Sequence, residues 1–264
     1  MVSLLQSFRA MAFGLLSLIL TTTAVPAVES VPERVSDWEN LWSSVLSRNV
    51  DEAGRIDFAS LVRDHADLDR VVAFIAANDP ISQPAKFQSR EAKLAYDINA
   101  YNALAMYGVV DAGMPSSLGG LRKVSFFWWR TFSVGGQSVS LYSFENDVIR
   151  PLGDPRVHFA LNCMVVSCPR LPRAAFSADK LEKQLDAAAR TFISENRNVR
   201  IDRDKREVWL SSIFKFYTED FLAHEPSLIA YVNRYRAEDK IPTDFLVRFE
   251  DYDWTVNARK VPGR

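Results

Sequence analysis

The chain is poor in the residues that would advertise a metal or redox centre. Among 264 residues there are only three histidines and two cysteines. His65 and His224 sit in polar surroundings (VRDHADLD, LAHEPS), so a histidine-rich zinc site is not expected, and no cofactor fingerprint occurs. Neither sign of charge dominates. Lys and Arg (32) nearly balance Asp and Glu (33), for a formal net charge of −1, and they are interspersed without long blocks, which argues against nucleic acid as a partner. No internal repeat or low-complexity linker is visible. With 48% apolar and 12% aromatic residues there is ample material for a buried core, which excludes disorder.

Long apolar runs are scarce too, with one exception at the start. Arg9, the apolar stretch Met11 to Leu20 (MAFGLLSLIL) and the small residues around Val25-Pro26-Ala27 have the layout of a cleavable secretory signal. The stretch is shorter than the roughly 20 residues a stable span needs. The expected organisation is a signal over residues 1–27 and one globular domain over 28–264, periplasmic or secreted, with no membrane association after cleavage and an oxidising surrounding. The expected partner is a small molecule, a peptide or a cell-envelope substrate.

Past the signal, helical and strand periods alternate. Trp38, Leu41, Trp42, Val45 and Leu46 recur at helical spacing, and Phe58 to Ala77 gives a second amphipathic helix. Arg90 to Val110 is apolar on most of its circumference, the mark of a central buried helix. Trp128 to Ser140 reads as a hairpin turning at Gly135-Gly136, and Val199 to Leu210 as a second one turning around Arg203-Asp204-Lys205. Tyr142 to Ile149, Ser177 to Ile193 (N-capped by Ser177), Ser212 to Leu222 and Pro226 to Tyr235 read as helices. Arg156 to Cys163 and Phe245 to Trp254 read as strands. The fold class is therefore α+β: a central buried helix, further amphipathic helices and a small, mainly antiparallel sheet built from hairpins.

Several polar residues are out of place in these surroundings. Asn99 and Asn102 share a face of the apolar helix, with Tyr101 beside them; they either tie it to a loop or orient a substrate or catalytic group. Glu145 shares a face with Val148 and Ile149, so it is paired, for example with Arg156, or it serves as an acid or base. In HFALNCMVVSCPRLPR, strand alternation would place His158 and Asn162 on one face and Phe159, Leu161 and Cys163 on the other. Cys163 is then a buried hydrophobe. Cys168, in a loop with Arg170 and Arg173, is the more exposed cysteine and the better thiolate. Equally, two cysteines five apart in an exported chain suit a disulfide.

DINAYNALAMYGVV, the Glu145 segment, DPRVHFALNCMVVSCPRL and YDWTVN together resemble the family catalogued as domain of unknown function 547, over roughly residues 94–257. The resemblance implies an autonomous α+β domain and brings no activity with it. The positions matching its motifs are Asn99, Tyr101, Asn102, Glu145, His158, Asn162, Cys163 and Cys168. Asp97 stands where the family has Trp, Asn146 where a His often follows the Glu, and Met164 and Val165 where residues tend to be small. Three readings stay open. One is a thiol-dependent hydrolase or acyl transferase, with Cys168 as nucleophile, His158 as base and Glu145 as orienter, supported by Asn99, Tyr101, Asn102, Asn162 and Arg170. The second is a binding or scaffold domain with a Cys163–Cys168 disulfide, and the third a thiol-disulfide redox protein.

Overall fold

The computed structural model describes residues 30–259; the expected signal segment and its expected cleavage region lie outside the described residues. The fold is organised around one helix, α4 (Arg90–Asp111), which is buried from Leu94 to Val110 except at Tyr107. A helix that is apolar all round must be covered on every side, and here the cover comes from several directions. The Ser89 side chain starts it by accepting a hydrogen bond from the N–H of Ala92 at 3.0 Å. Three helices form the N-terminal cover: α1 (Val35–Asn49), α2 (Phe58–Arg63) and α3 (Ala66–Ala77). The 58–77 segment is thus two helices, parted at Asp64-His65. Trp38 of α1 stacks on Phe74 and lies 5.0 Å from the ring of Tyr96, locking α1, α3 and α4 together.

The hairpin forms where Gly135-Gly136 predicted it. Strands β1 (Thr131–Val134) and β2 (Gln137–Ser140) pair antiparallel, and both glycines have positive φ, 55° and 83°. The turn is fixed to the end of α3, because Gly135 N–H and Gly136 N–H donate to the carbonyls of Ile75 and Ala76. Before β1, α5 (Leu121–Val124) runs into a wide π-type turn at Ser125–Trp129; after β2, α6 (Leu141–Ser143) runs into a second one at Phe144–Ile149.

Two expectations fail in the next segment. Residues 156–163 are not a strand: Pro155–Phe159 is a short 3-10 helix followed by irregular chain. Pro155 fixes a helical φ, the Asp154 carboxylate caps the Arg156 N–H at 3.0 Å, and Ala160 and Leu161 N–H both bond back to Val157 O. Over so few residues an alternating apolar pattern does not separate this local solution from a strand. Helix α7 (Leu181–Ser194) starts later than expected and Ser177 is not its cap; the Ser177 hydroxyl donates to Asp179 instead.

The rest is a second, smaller core. Strands β3 (Val199–Asp202) and β4 (Glu207–Leu210) pair antiparallel, and β5 (Leu246–Phe249) joins β4 in parallel, so the sheet is mixed. Helices α8 (Ser212–Phe216), α9 (Thr218–Leu222) and α10 (Leu228–Arg234) lie between β4 and β5 in the chain. Phe159, Phe192, Phe214, Phe221 and Tyr231 fill the space they enclose. The α+β class holds, and from Val31 onward the chain forms one compact unit.

Candidate functional site

A cavity of about 310 Å³ is lined by residues from both cores, among them Tyr101, Glu145, His158, Cys163, Cys168 and Tyr217. The wide turn at Phe144–Ile149 carries Glu145, which is 8% exposed. Its carboxylate is not paired with Arg156, whose guanidinium is taken by Asp154, Glu182 and Asp186. It accepts instead from two phenols: Tyr101 at 3.1 Å, from the central helix, and Tyr217, at the junction of α8 and α9. Burial and then the charge of Glu145 push both phenols well above their ordinary range, so they remain protonated donors.

His158 sits against the same group of residues. Its ring stacks face to face on Tyr217, centroids 3.7 Å apart, and its Nε2 lies 2.7 Å from an Asp220 oxygen. Asp220 also accepts two hydrogen bonds from Arg150, both 2.8 Å, and Arg150 donates a third to Asn146 at 2.5 Å. Burial pushes the Asp220 carboxyl up, but hydrogen bonds from His158 and Arg150 and their charges outweigh it and hold the group well below the usual carboxylate range. An ionised Asp220 requires the proton on the facing Nε2, which leaves Nδ1 as the ring nitrogen not engaged by it. Nδ1 is buried and has no partner.

The two cysteines form a disulfide, with their Cα atoms 6.2 Å apart. Their burial is the reverse of the expectation: Cys168 is 2% exposed, whereas Cys163 is half-buried. The reason is the lost strand. Without strand alternation Cys163 is not turned into the core, while Cys168 is drawn inward by its N–H bond to Val165 O and by the bond to Cys163. The Tyr252 hydroxyl lies 3.4 Å from each sulfur. The flanking arginines are not available to Cys168: Arg170 is bound to Glu195 and the Glu52 carbonyl, and Arg173 to Glu52 and the Ser47 carbonyl.

The asparagines fasten the loop rather than face the cavity. Asn102 donates to Ala160 O (3.0 Å) and accepts from Asn162 N–H (2.7 Å). Asn162 in turn donates to Pro169 O (2.6 Å) and accepts from Met164 N–H (2.7 Å), closing the loop on itself. Asn99 makes the same kind of two-point clamp on the backbone of Phe176. Of the eight residues singled out, Tyr101, Glu145, His158 and Cys168 line the cavity, Asn102 and Asn162 support its wall, and Asn99 and Arg170 lie apart from it. Lys123, Arg150, Tyr217, Asp220, Tyr252 and Trp254 were not singled out. Only Tyr252 and Trp254 carried a signal, as part of YDWTVN.

The fold and the site together define an α+β domain with an aromatic-lined, disulfide-walled cavity. The family described as "Protein of unknown function, DUF547" has a model that matches residues 84–193, so the resemblance read from the motifs holds over the central helix, Glu145 and the cysteine loop. The match stops short of YDWTVN. No curated protein and no solved structure matches the chain.

Proposed function

We propose that this chain is an exported, non-catalytic binding domain whose disulfide-braced cavity holds a small molecule or a side chain of a peptide or cell-envelope component. One observation carries the reading: Cys168, the best thiol nucleophile by sequence, has its sulfur bonded to Cys163 at the wall of a cavity of about 310 Å³. That volume is at the lower end of small-molecule sites, and the lining is of the usual kind, rich in aromatic and other apolar side chains with several fixed polar groups. Its aromatic and polar groups are held by mutual stacking and hydrogen bonds, so little ordering is left for a ligand to impose. Export is supported by the run Met11 to Leu20 and by a disulfide that would persist outside the cytoplasm.

The test is a thermal-shift screen of small polar and aromatic compounds on the oxidised protein, followed by calorimetry. A ligand that raises the melting temperature of the wild type and loses its effect in Trp254→Ala supports the proposal. Binding that persists in that variant places the ligand elsewhere.

A second reading keeps the thiol enzyme, in a reduced state, because His158 held by Asp220 and backed by Arg150 is how an imidazole base is oriented beside a nucleophile. Labelling with a thiol-reactive probe before and after reduction separates the two. Selective labelling of Cys168 at neutral pH, abolished by His158→Ala, favours the enzyme; absence of reactive thiol favours the binding domain; a pair that cycles with glutathione favours redox work.

A further inference from the structure

The helical stretch 121–129 places some apolar side chains in the core and others on an exposed face. Phe126 and Phe127 are buried in the core, whereas Leu121, Val124, Trp128 and Trp129 are exposed. Leu121 is 91% exposed, Trp129 74% and Trp128 40%. Beside this face lies the rim of the cavity, which Trp128, Tyr142, Phe216 and Lys123 line: Trp128 stacks on half-exposed Tyr142 with centroids 4.8 Å apart, and Lys123 Nζ lies 4.4 Å from the ring of Trp254, 5.9 Å from that of Trp128 and 5.8 Å from that of exposed Phe216. Scattered apolar residues on a surface need no explanation, but a contiguous patch with two indoles does.

The charges that this stretch of chain itself carries are of one sign. Between Ala112 and Phe144 there is no Asp or Glu, while Arg122, Lys123 and Arg130 fall inside the stretch. Arg130 is paired with Asp111. Neither Arg122 nor Lys123 has a carboxylate partner among the described residues. We propose that this face docks on the surface of an anionic bilayer, with Leu121, Val124 and Trp129 at the level of the headgroups, Arg122 against lipid phosphates and Lys123 adding its charge from the cavity rim. Indoles and leucines flanked by cations are the composition that settles at such an interface, and each cation near an anionic surface strengthens attachment. A second copy of this chain fits poorly, since a self-complementary contact would set Arg122 and Lys123 against their own likeness with no acid to offset them. No helix among the described residues is long and apolar enough to cross a membrane, so the attachment is peripheral.

The experiment is cosedimentation of the purified full protein with sucrose-loaded vesicles, half phosphatidylglycerol and half phosphatidylcholine, against phosphatidylcholine alone. Every variant must carry the same N-terminus by intact mass, so that the apolar run near the start contributes equally to all. The expected result is at least tenfold tighter partition onto the anionic vesicles, falling at least tenfold in Leu121→Ala/Trp129→Ala and severalfold in Arg122→Glu. All three residues are exposed and lie off the cavity wall, so the melting temperature should not change. The wild type alone supplies a second measure: partition must weaken steeply as salt rises from 0.05 to about 0.5 M. Equal partition of variants and wild type, indifference to phosphatidylglycerol, or a dimer that Trp129→Ala splits into monomers would each overturn the proposal.

Discussion

Asp97 is the sharpest place to test the physical account of this fold. It lies on the buried helix, is 2% exposed, and has one oxygen with no hydrogen-bond partner. Burial, and then the nearby charge of Asp79, push its carboxyl up to about 8, against an ordinary value of 3.8, with Lys93 offsetting only part of the shift. Between those two values the folded protein keeps a proton that the unfolded chain releases, so stability is full below about 3.8, falls as pH rises, and levels off above about 8. The slope from this one group is roughly 1.4 kcal/mol per pH unit. In Asp97→Asn that slope is gone. The amide would still be short of a partner, which offsets about 1–3 kcal/mol of the gain at any one pH. The difference between variant and wild type should nevertheless grow by about 3 kcal/mol from pH 5 to pH 7. Urea unfolding at half-unit pH steps measures this directly. A difference that stays constant with pH would refute the reasoning, because it would mean that Asp97 is ionised or solvated in the folded state.

Three further outcomes follow from the same structure. A thiol titration of oxidised protein under denaturing conditions should count no free thiol, and reduction, which releases a loop of about six residues, should lower stability by about 2 kcal/mol; two free thiols in fresh protein would contradict the disulfide. Asn102→Ala leaves Ala160 O and Asn162 N–H unpaired inside the protein and should cost about 2–4 kcal/mol by denaturant unfolding, whereas a loss under 0.5 kcal/mol would mean that the clamp is not formed in solution. Export should remove the N-terminus near Ala27, and a mature protein that still begins at Met1 by intact mass would overturn that expectation.

What the sequence disclosed depended on the range of the interaction. The buried helix was legible because its whole circumference is apolar, and the first hairpin because Gly135-Gly136 admits the positive φ that a tight turn requires. Glu145 was correctly sensed as turned inward from its neighbours Val148 and Ile149. Its partners were not legible, because Tyr101 and Tyr217 are 44 and 72 residues away. Asp220 was hidden for a different reason. An acid in the first turn of a short helix looks like an ordinary solvated residue, and only the tertiary fold brings it to His158 and Arg150. The misread strand shows the limit of period-two reasoning: Pro155 and Asp154 already specified a local helical turn, and capping outweighed alternation.

The cysteine loop is held by three means of different kinds, and this bears on which function the cavity can have. The disulfide joins its ends; Asn102 and Asn162 satisfy its buried backbone; and the C-terminal segment is sewn along it, with Val166 N–H donating to Thr255 O and Asn257 N–H to Met164 O. The last two do not depend on oxidation. Reduction would therefore remove a constraint on the unfolded chain more than a feature of the native wall, and the left-handed backbone at Met164 would stay pinned by the Asn162 side chain. The wall of the cavity is thus defined with or without the S–S bond. A binding domain built this way keeps its ligand under reducing conditions, at somewhat lower thermal stability. A thiol enzyme built this way gains activity under those same conditions. Oxidised and reduced samples of one preparation consequently separate the two readings: ligand affinity that is unchanged while no turnover appears supports binding, and turnover that appears only after reduction supports the enzyme.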